Sequence, residues 1–294
     1  MHVVYFWCLL LAQPGATSGA APDAYRRDVE AWRAERQARL QSDGGWLTVA
    51  GLFWLKPGGN RFGADPAGEI VLPAHSSPAR AGTFRLEAGR VTVEALPGVA
   101  LTMGGKPVAR AQLRSDAAGA PDVLALGALT MQVIARGDRL GIRLKDMRSP
   151  ARAQFKGLTW YPVRPDMRIR ARFVAHAAPV AIAIPTVIGG HETMPSPGSA
   201  LFAIGGKSLR LDPVLEAGET QLFFIFRDAT SGLSTYGAGR FLYADPPKDG
   251  YIVLDFNKAY SPPCAFTPFA TCPLPPPQNR LPVAIEAGEM SKGH

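Results

Sequence analysis

The sequence lacks the short signatures by which many enzymes declare their chemistry. There is no His-Glu-x-x-His, no Gly-x-Ser-x-Gly and no Cys-x-x-Cys, so zincin, α/β-hydrolase and thioredoxin-type readings are without their minimal parts. Gly206-Lys207-Ser208 resembles the end of a phosphate-binding loop, but the glycine needed five residues earlier is Leu201. A strand-like segment also follows where a helix is required. The internal histidines, His75, His176 and His191, stand alone, and only His191, in the Gly-Gly-His-Glu stretch, is placed to swing towards a site. Cysteines number three. Two thiolates would need two further ligands to hold a metal, and only His191 offers itself, so neither metal nor cofactor is expected. Long apolar runs are missing too. The stretch at residues 3–12 is far too short to span a bilayer, and no later segment is long and apolar enough.

What is present points to β-structure. Gly 31 and Pro 27 favour many short strands joined by turns over a helical bundle. The formal net charge of +8 suggests nucleic acid at first sight. The basic residues are scattered, however, and the arginines of Met-Arg-Ile-Arg-Ala-Arg-Phe (167–173) alternate with apolar residues as on a solvated strand face. Without a lysine block or a recognised motif, no nucleic-acid partner is expected.

Residues 1–20 read as an export signal. The apolar run at 3–12 has the length of a signal core, and Ser18-Gly19-Ala20 is an acceptable small-residue cleavage site. The expected location is therefore periplasmic or extracellular, the alternative being a buried first strand. Cleavage would remove Cys8 and leave Cys264 and Cys272, an even pair in an oxidising compartment. Their disulfide is the leading expectation, with a loop-closure contribution of roughly 2.5 kcal/mol on the chain-entropy model.

Residues 21–42 read as one helix. Tyr25, Val29, Trp32 and Leu40 recur at helical spacing after the N-cap candidate Asp23. From Trp46 the period becomes two. Hairpins are expected at 82–96, turning at Ala88-Gly89, and at 129–144, turning at Gly137-Asp138, with a further turn at Gly104-Gly105. The fold class is mainly β: an N-terminal helix followed by two antiparallel β-domains, sandwich or barrel, at 43–148 and 149–294. In the second, strands are expected at 167–173, 181–187, 201–204, 220–227, 239–243, 251–257 and 281–286.

The chain is organised around residues 254–289, where two cysteines, a run of prolines and several polar side chains lie between two strand-like segments. Long loops of this kind in compact domains are usually functional or disordered. This one carries Phe256, Tyr260, Phe266, Phe269 and Leu274, too many apolar residues for disorder. Strand parity sets Ile252, Leu254 and Phe256 on one face, with Asp255 and Asn257 on the other. Arg240 opens a strand after Gly-Ala-Gly, and Asp228 closes the strand before it. The candidate ligand-binding set is Asp228, Arg240, Asp255, Asn257, Tyr260, Asn279 and Glu286. Carboxylates beside a guanidinium and a phenol can bind a polar ligand or do acid–base work. The competing reading is a structural network in which Arg240 pairs with Asp228 or Asp255 while Asn257 and Asn279 satisfy loop backbone. The function expected is an exported protein binding a small polar or carbohydrate-like ligand at the C-terminal domain, with hydrolysis of that ligand as an extension of the same reading. The alternative is a non-catalytic protein-interaction or structural β-module.

Three strings carry a family resemblance: GWLTVAGLFWLKPGGNRFG at 45–63, RDATSGLSTYGAGRFL at 227–242, and DFNKAYSPPCAFTPFATCPLPPPQNRLPVAIEAGE at 255–289. Through them the chain resembles the bacterial and archaeal family named domain of unknown function 1684, which implies no activity. The first half is also similar to forkhead-associated β-sandwiches in the run at 55–73, the hairpin at 82–96 and Gly104–Val108. Those domains hold phosphothreonine with an arginine, a serine and an asparagine. Here Ala64 follows Gly63, Gly104 replaces the asparagine, and Ser76 or Ser77 alone cannot hold a dianion. The resemblance implies a sandwich without phosphopeptide binding.

Overall fold

The computed structural model describes residues 20–291. The expected signal segment lies outside the described residues except for Ala20, as does Cys8. Helix α1 spans Ala20–Gln41, with Asp23 in its first turn and Arg39 in its last, each sign favourable at its end of the helix dipole. Val29 and Leu40 are fully buried on its inner face. The arginines of the helix tie it to the far end of the chain as well as to the residues that follow it. Arg33 donates to the carbonyl oxygens of Tyr161 and Asn257, and Arg36 to that of Ser261.

The first β-half contains β1 (Val49–Trp54), β2 (Gly58–Gly63), β3 (Ile70–Val71), β4 (Gly82–Glu87), β5 (Arg90–Ala95) and β6 (Thr102–Met103). It continues through β7 (Lys106–Pro107), β8 (Arg110–Leu113), β9 (Val123–Leu126), β10 (Leu129–Arg136) and β11 (Arg139–Asp146). Two sheets result, ordered β1-β11-β10-β9-β6-β7 and β3-β2-β4-β5-β8. Their inner faces interlock Phe62, Phe84 and Val93 with Leu124, Met131 and Ile142 in one core. All three expected turns are present. At the β4–β5 turn Ala88 and Gly89 both take positive φ, 49° and 73°, the geometry that matches the twist of the flanking strands.

After α2 (Pro150–Ala153) come β12 (Thr159–Trp160), β13 (Arg168–Pro185), β14 (His191–Ile204), β15 (Lys207–Leu211), β16 (Leu222–Phe226), β17 (Arg240–Ala244), β18 (Tyr251–Asp255) and β19 (Glu289–Met290). A four-stranded sheet β15-β14-β13-β18 packs its inner face on the β16–β17 ladder, around Phe224, Phe226, Leu254 and Phe256. The strands expected at 167–173 and 181–187 are one continuous strand, β13, with a register irregularity between Ala175 and Val180. The strand expected at 281–286 does not form. Pro282 offers no N–H, and the backbone groups of Ile285 are taken by side chains: its carbonyl by Arg240 and its N–H by Asp228. Apolar alternation persisted there because Leu281 and Ile285 both reach the core.

The proline loop ties the halves together. Thr267 Oγ1 donates to the Val49 carbonyl at 3.2 Å, and Arg136 Nε donates to Thr271 Oγ1 at 2.9 Å. A third apolar cluster of Ile184, Val214, Phe223, Phe241 and Cys272 packs against Trp46. Among the described residues no helix is long and apolar enough to cross a membrane.

Candidate functional site

Of the seven residues expected to form one cluster, six fall into three separate places and Glu286 stands apart. Asp228 and Arg240 make a wholly buried ion pair at 2.6 Å, with side-chain exposures of 0% and 1%. Asp228 Oδ1 accepts from the backbone N–H and hydroxyl of Thr230, while Oδ2 accepts from the Ile285 N–H. Arg240 also donates to the carbonyls of Ile285 and Ala287, and its guanidinium lies 5.3 Å from the centre of the Phe226 ring. Burial pulls its proton affinity down against the opposing pull of Asp228. The glycine before it, Gly239 at φ 111°, is required because a Cβ there would stand 2.6 Å from the Phe226 carbonyl and from Pro275. The close approach is thus to the chain itself, and the pair is structural.

Asn279 is the second place. Its amide donates to the carbonyls of Asp212 and Ile225 and accepts from the Asp212 N–H at 2.8 Å, all out of solvent. It fastens the end of the proline loop to β15 and β16. Glu286 belongs to neither group, since it is exposed in the irregular segment. The buried acid of this region is Glu289, on β19, which parity could not single out because the segment before it is not a strand.

Asp255, Asn257 and Tyr260 remain, and two of them meet solvent. A cleft of about 1040 Å³ runs between α1 and the sheet edge, lined by Tyr25, Trp32, Arg168, Tyr243, Asp255 and Tyr260 among others. Asn257 does not emerge beside Asp255. The strand ends at Asp255, which caps a 3-10 turn by accepting the Asn257 N–H, and Asn257 is buried. There it donates to the Arg164 carbonyl and accepts from the Arg164 N–H. Asp255 Oδ1 accepts from the Tyr25 hydroxyl at 2.8 Å, itself the acceptor of an Asn257 amide hydrogen at 2.9 Å. Burial, then the bond to Asp255, pushes the Tyr25 phenol up, so it stays a donor. Asp255 Oδ2 takes no hydrogen bond among the described residues.

Aromatic rings form the other wall. Tyr260 stacks with Tyr243, and Tyr243 with Phe223, at interplanar angles of 14° and 13°. The Arg36 guanidinium lies 4.6 Å from the Tyr260 ring centre, and burial raises the Tyr260 phenol to about 12. Of the cleft's cations, Lys258 is engaged with Asp28 and Arg36 with Glu289. Arg168 and Lys248 make no ion pair among the described residues, and Arg168 sits 5.7 Å from the Tyr25 ring centre. The floor is therefore a fixed carboxylate with an open oxygen, beside a wall of mutually stacked rings and an uncommitted guanidinium. Sequence reasoning missed the α1 contribution, because Tyr25 and Asp255 are 230 positions apart.

No disulfide joins Cys264 and Cys272 in this structure: both are free thiols. They are neighbours, with the Cys264 N–H donating to Cys272 Sγ at 3.2 Å. A hydrogen bond from Cys272 favours the Cys264 thiolate and lowers its proton affinity, while the same bond, with burial, raises that of Cys272. Among the described residues no three His, Cys, Asp or Glu side chains gather as metal ligands. In the first sandwich Ser76 and Ser77 donate to the carbonyls of Pro73 and Pro78.

Comparison with known proteins places these features in a wider set. The family model described as protein of unknown function (DUF1684) matches residues 153–290, which include the strings at 227–242 and 255–289 but not that at 45–63. An uncharacterised protein of Haloarcula marismortui, known from a solution NMR structure, is 34% identical over 48% of this chain and 79% of its own, with a TM-score of 0.41. An FHA domain studied for phosphothreonine-dependent interactions is 19% identical over 32% of this chain and 92% of its own, with a TM-score of 0.24. The FhaA FHA domain, solved with the intracellular domain of a partner, has the same identity and TM-score over 97% of its length. No curated protein matches the chain.

Proposed function

We propose that this chain, which belongs to the DUF1684 family of proteins of unknown function, binds a small polyhydroxylated, carbohydrate-like ligand in the cleft between α1 and the C-terminal sheet. The observation that carries the reading is the half-buried Asp255 held at one oxygen by Tyr25 and Asn257, its other oxygen turned to a cleft walled by stacked tyrosines. A fixed acceptor beside a rigid aromatic wall suits a ligand that carries both hydroxyls and apolar C–H surface. Binding is supported further than hydrolysis. Glycoside hydrolysis uses two carboxylates, and the other acids of the cleft are engaged, Asp28 with Lys258 and Asp245 with Gln221.

Asp255→Asn keeps volume and hydrogen-bonding capacity, so it is expected to fold while losing affinity at least about tenfold, the value of one charge-assisted hydrogen bond. Saturation-transfer NMR against a panel of mono- and oligosaccharides, beside thermal unfolding of the variant, is the test. A panel in which no sugar perturbs the cleft, or binding untouched by Asp255→Asn, removes the proposal.

A second reading, a protein-interaction module, is favoured by the distal part of the β13–β14 hairpin and its tip, where Val174, Val180 and Val187 are exposed.

Export remains part of the proposed function, with the cysteines closing in the oxidising compartment. Intact mass of protein from the native host, taken without reductant, should match a chain beginning near Ala21 or Pro22 and lighter by two hydrogens. A chain beginning at Met1 would count against export, and two alkylatable thiols against the bridge.

A further inference from the structure

The outer face of the sheet β15-β14-β13-β18 is turned to solvent and carries a row of cations. Arg168, Arg170 and Arg172 alternate along β13 with inward-facing Ile169, Ala171 and Phe173, and all three arginines are exposed. Successive outward residues on a strand stand about 7 Å apart, so the row is about 14 Å long. Acids directly across the ladders would neutralise such a row, but most of those positions are apolar. Val253 faces Arg170, and Arg172 stands between Tyr251 and Leu201. Leu201, Tyr251 and Val253 are 36%, 38% and 38% exposed, so apolar surface lies open beside the charges. The outermost arginine of the face, Arg210 on β15, is already held by Asp212.

Arg170 and Arg172, like Arg168, make no ion pair among the described residues. The Arg170 guanidinium lies 3.3 Å from the centre of the Tyr251 ring, a contact that holds it in place without using its N–H donors. Asp255 faces Arg168 across the ladder, yet no ion pair forms between them. Three like charges side by side repel one another, and an anionic partner would relieve that cost. The row is also continuous with the cleft. Arg168, Tyr251, Val253 and Asp255 belong to both, and Lys248 lines the cleft beside them.

We propose that this sheet face extends the cleft into a site for an acidic glycan, a chain of sugars bearing carboxylates. The inference rests on the carbohydrate reading of the cleft and deepens it. Asp255 accepts from hydroxyls of the unit in the cleft, and carboxylates of the following units meet Arg170 and Arg172. A single sugar would leave those two arginines without partners, since neither lines the cleft. The guanidinium fork matches a carboxylate with two parallel N–H donors, and the apolar side chains between the arginines take the C–H faces of the rings. Single-stranded nucleic acid is the competing polyanion, but it is gripped largely by stacking its bases on successive aromatic rings. On this face Tyr251 is the exposed aromatic among the described residues, and Arg170 covers it.

The test is calorimetric titration of the full chain with tetrasaccharides of galacturonate, mannuronate and hyaluronate, beside neutral cellotetraose and monomeric galacturonate. At least one acidic tetrasaccharide should bind at least about tenfold tighter than cellotetraose or the monomer at low salt. That advantage should shrink as salt is raised, because the contacts are exposed. Arg170→Gln and Arg172→Gln should each weaken the acidic chain about fivefold and flatten its salt dependence. Both side chains are exposed, so the variants should fold. Asp255→Asn should weaken the same chain from the cleft end. Arginine variants without effect, or cellotetraose binding as tightly as every acidic chain, would overturn this inference and leave the cleft reading standing. Acidic binding lost in the arginine variants but untouched by Asp255→Asn would overturn the continuous site and the cleft reading together. A decathymidylate that binds more tightly than every acidic tetrasaccharide would assign the face to nucleic acid instead.

Discussion

Replacing Arg240 by methionine is expected to destabilise the protein by about 3–5 kcal/mol, because it strands a buried carboxylate without its cation. Methionine occupies much of the arginine's volume, so the loss is electrostatic rather than a cavity. Asp228 would retain its bonds from Thr230 and Ile285 but lose the guanidinium at 2.6 Å, and the carbonyls of Ile285 and Ala287 would lose their donor. Asp228→Asn should fall in the same range, as it leaves the guanidinium buried and uncompensated. The double replacement Asp228→Leu with Arg240→Met should cost less than the two single losses together, since residues in one network are not additive. Urea unfolding of the three variants decides the matter. A single replacement that shifts stability by less than about 1 kcal/mol would mean that the pair is not holding the 285–287 segment in place.

Asn279→Ala should cost roughly 3 kcal/mol, because it orphans an N–H and two carbonyls that solvent does not reach. These groups belong to Asp212 and Ile225, on elements far from Asn279 in sequence. The loss should appear as earlier global unfolding, since β16 lies within the C-terminal core. Ligand affinity in the cleft should be unaltered in the folded fraction, as Asn279 does not line it. Thermal unfolding read beside a cleft-binding titration checks both halves of this expectation. Unchanged stability would assign Asn279 a role other than the latch described.

Both cases turn on a distinction that the sequence left open. Asp228, Arg240, Asn279 and Asp255 had equal standing as polar residues near strand ends, and their types suited a ligand site and a structural network alike. Exposure separates them. The first three are sealed, whereas Asp255 keeps one oxygen towards the cleft. Glu286 and Glu289 exchanged places for a related reason. Parity holds only while the chain is a strand, and the carbonyls of Ile285 and Ala287 go to Arg240 instead of a ladder partner. The same limit applies to Asn257, because the turn that Asp255 caps swings it inward.

What the sequence by itself determined is local: a helix near the N-terminus, the hairpins at Ala88-Gly89 and Gly137-Asp138, and the mainly β class. Each rests on a periodicity of two or 3.6, or on a turn whose positive φ favours glycine, and such signals are complete within a few neighbouring residues. Only the tertiary structure decided which polar side chains face solvent. The cleft is made by Tyr25 meeting Asp255 across 230 positions, and α1 is fastened beside it by Arg36 meeting Glu289 and the Ser261 carbonyl. No local periodicity encodes such pairings, because they depend on where α1 docks, and docking is settled by the packing of the whole chain.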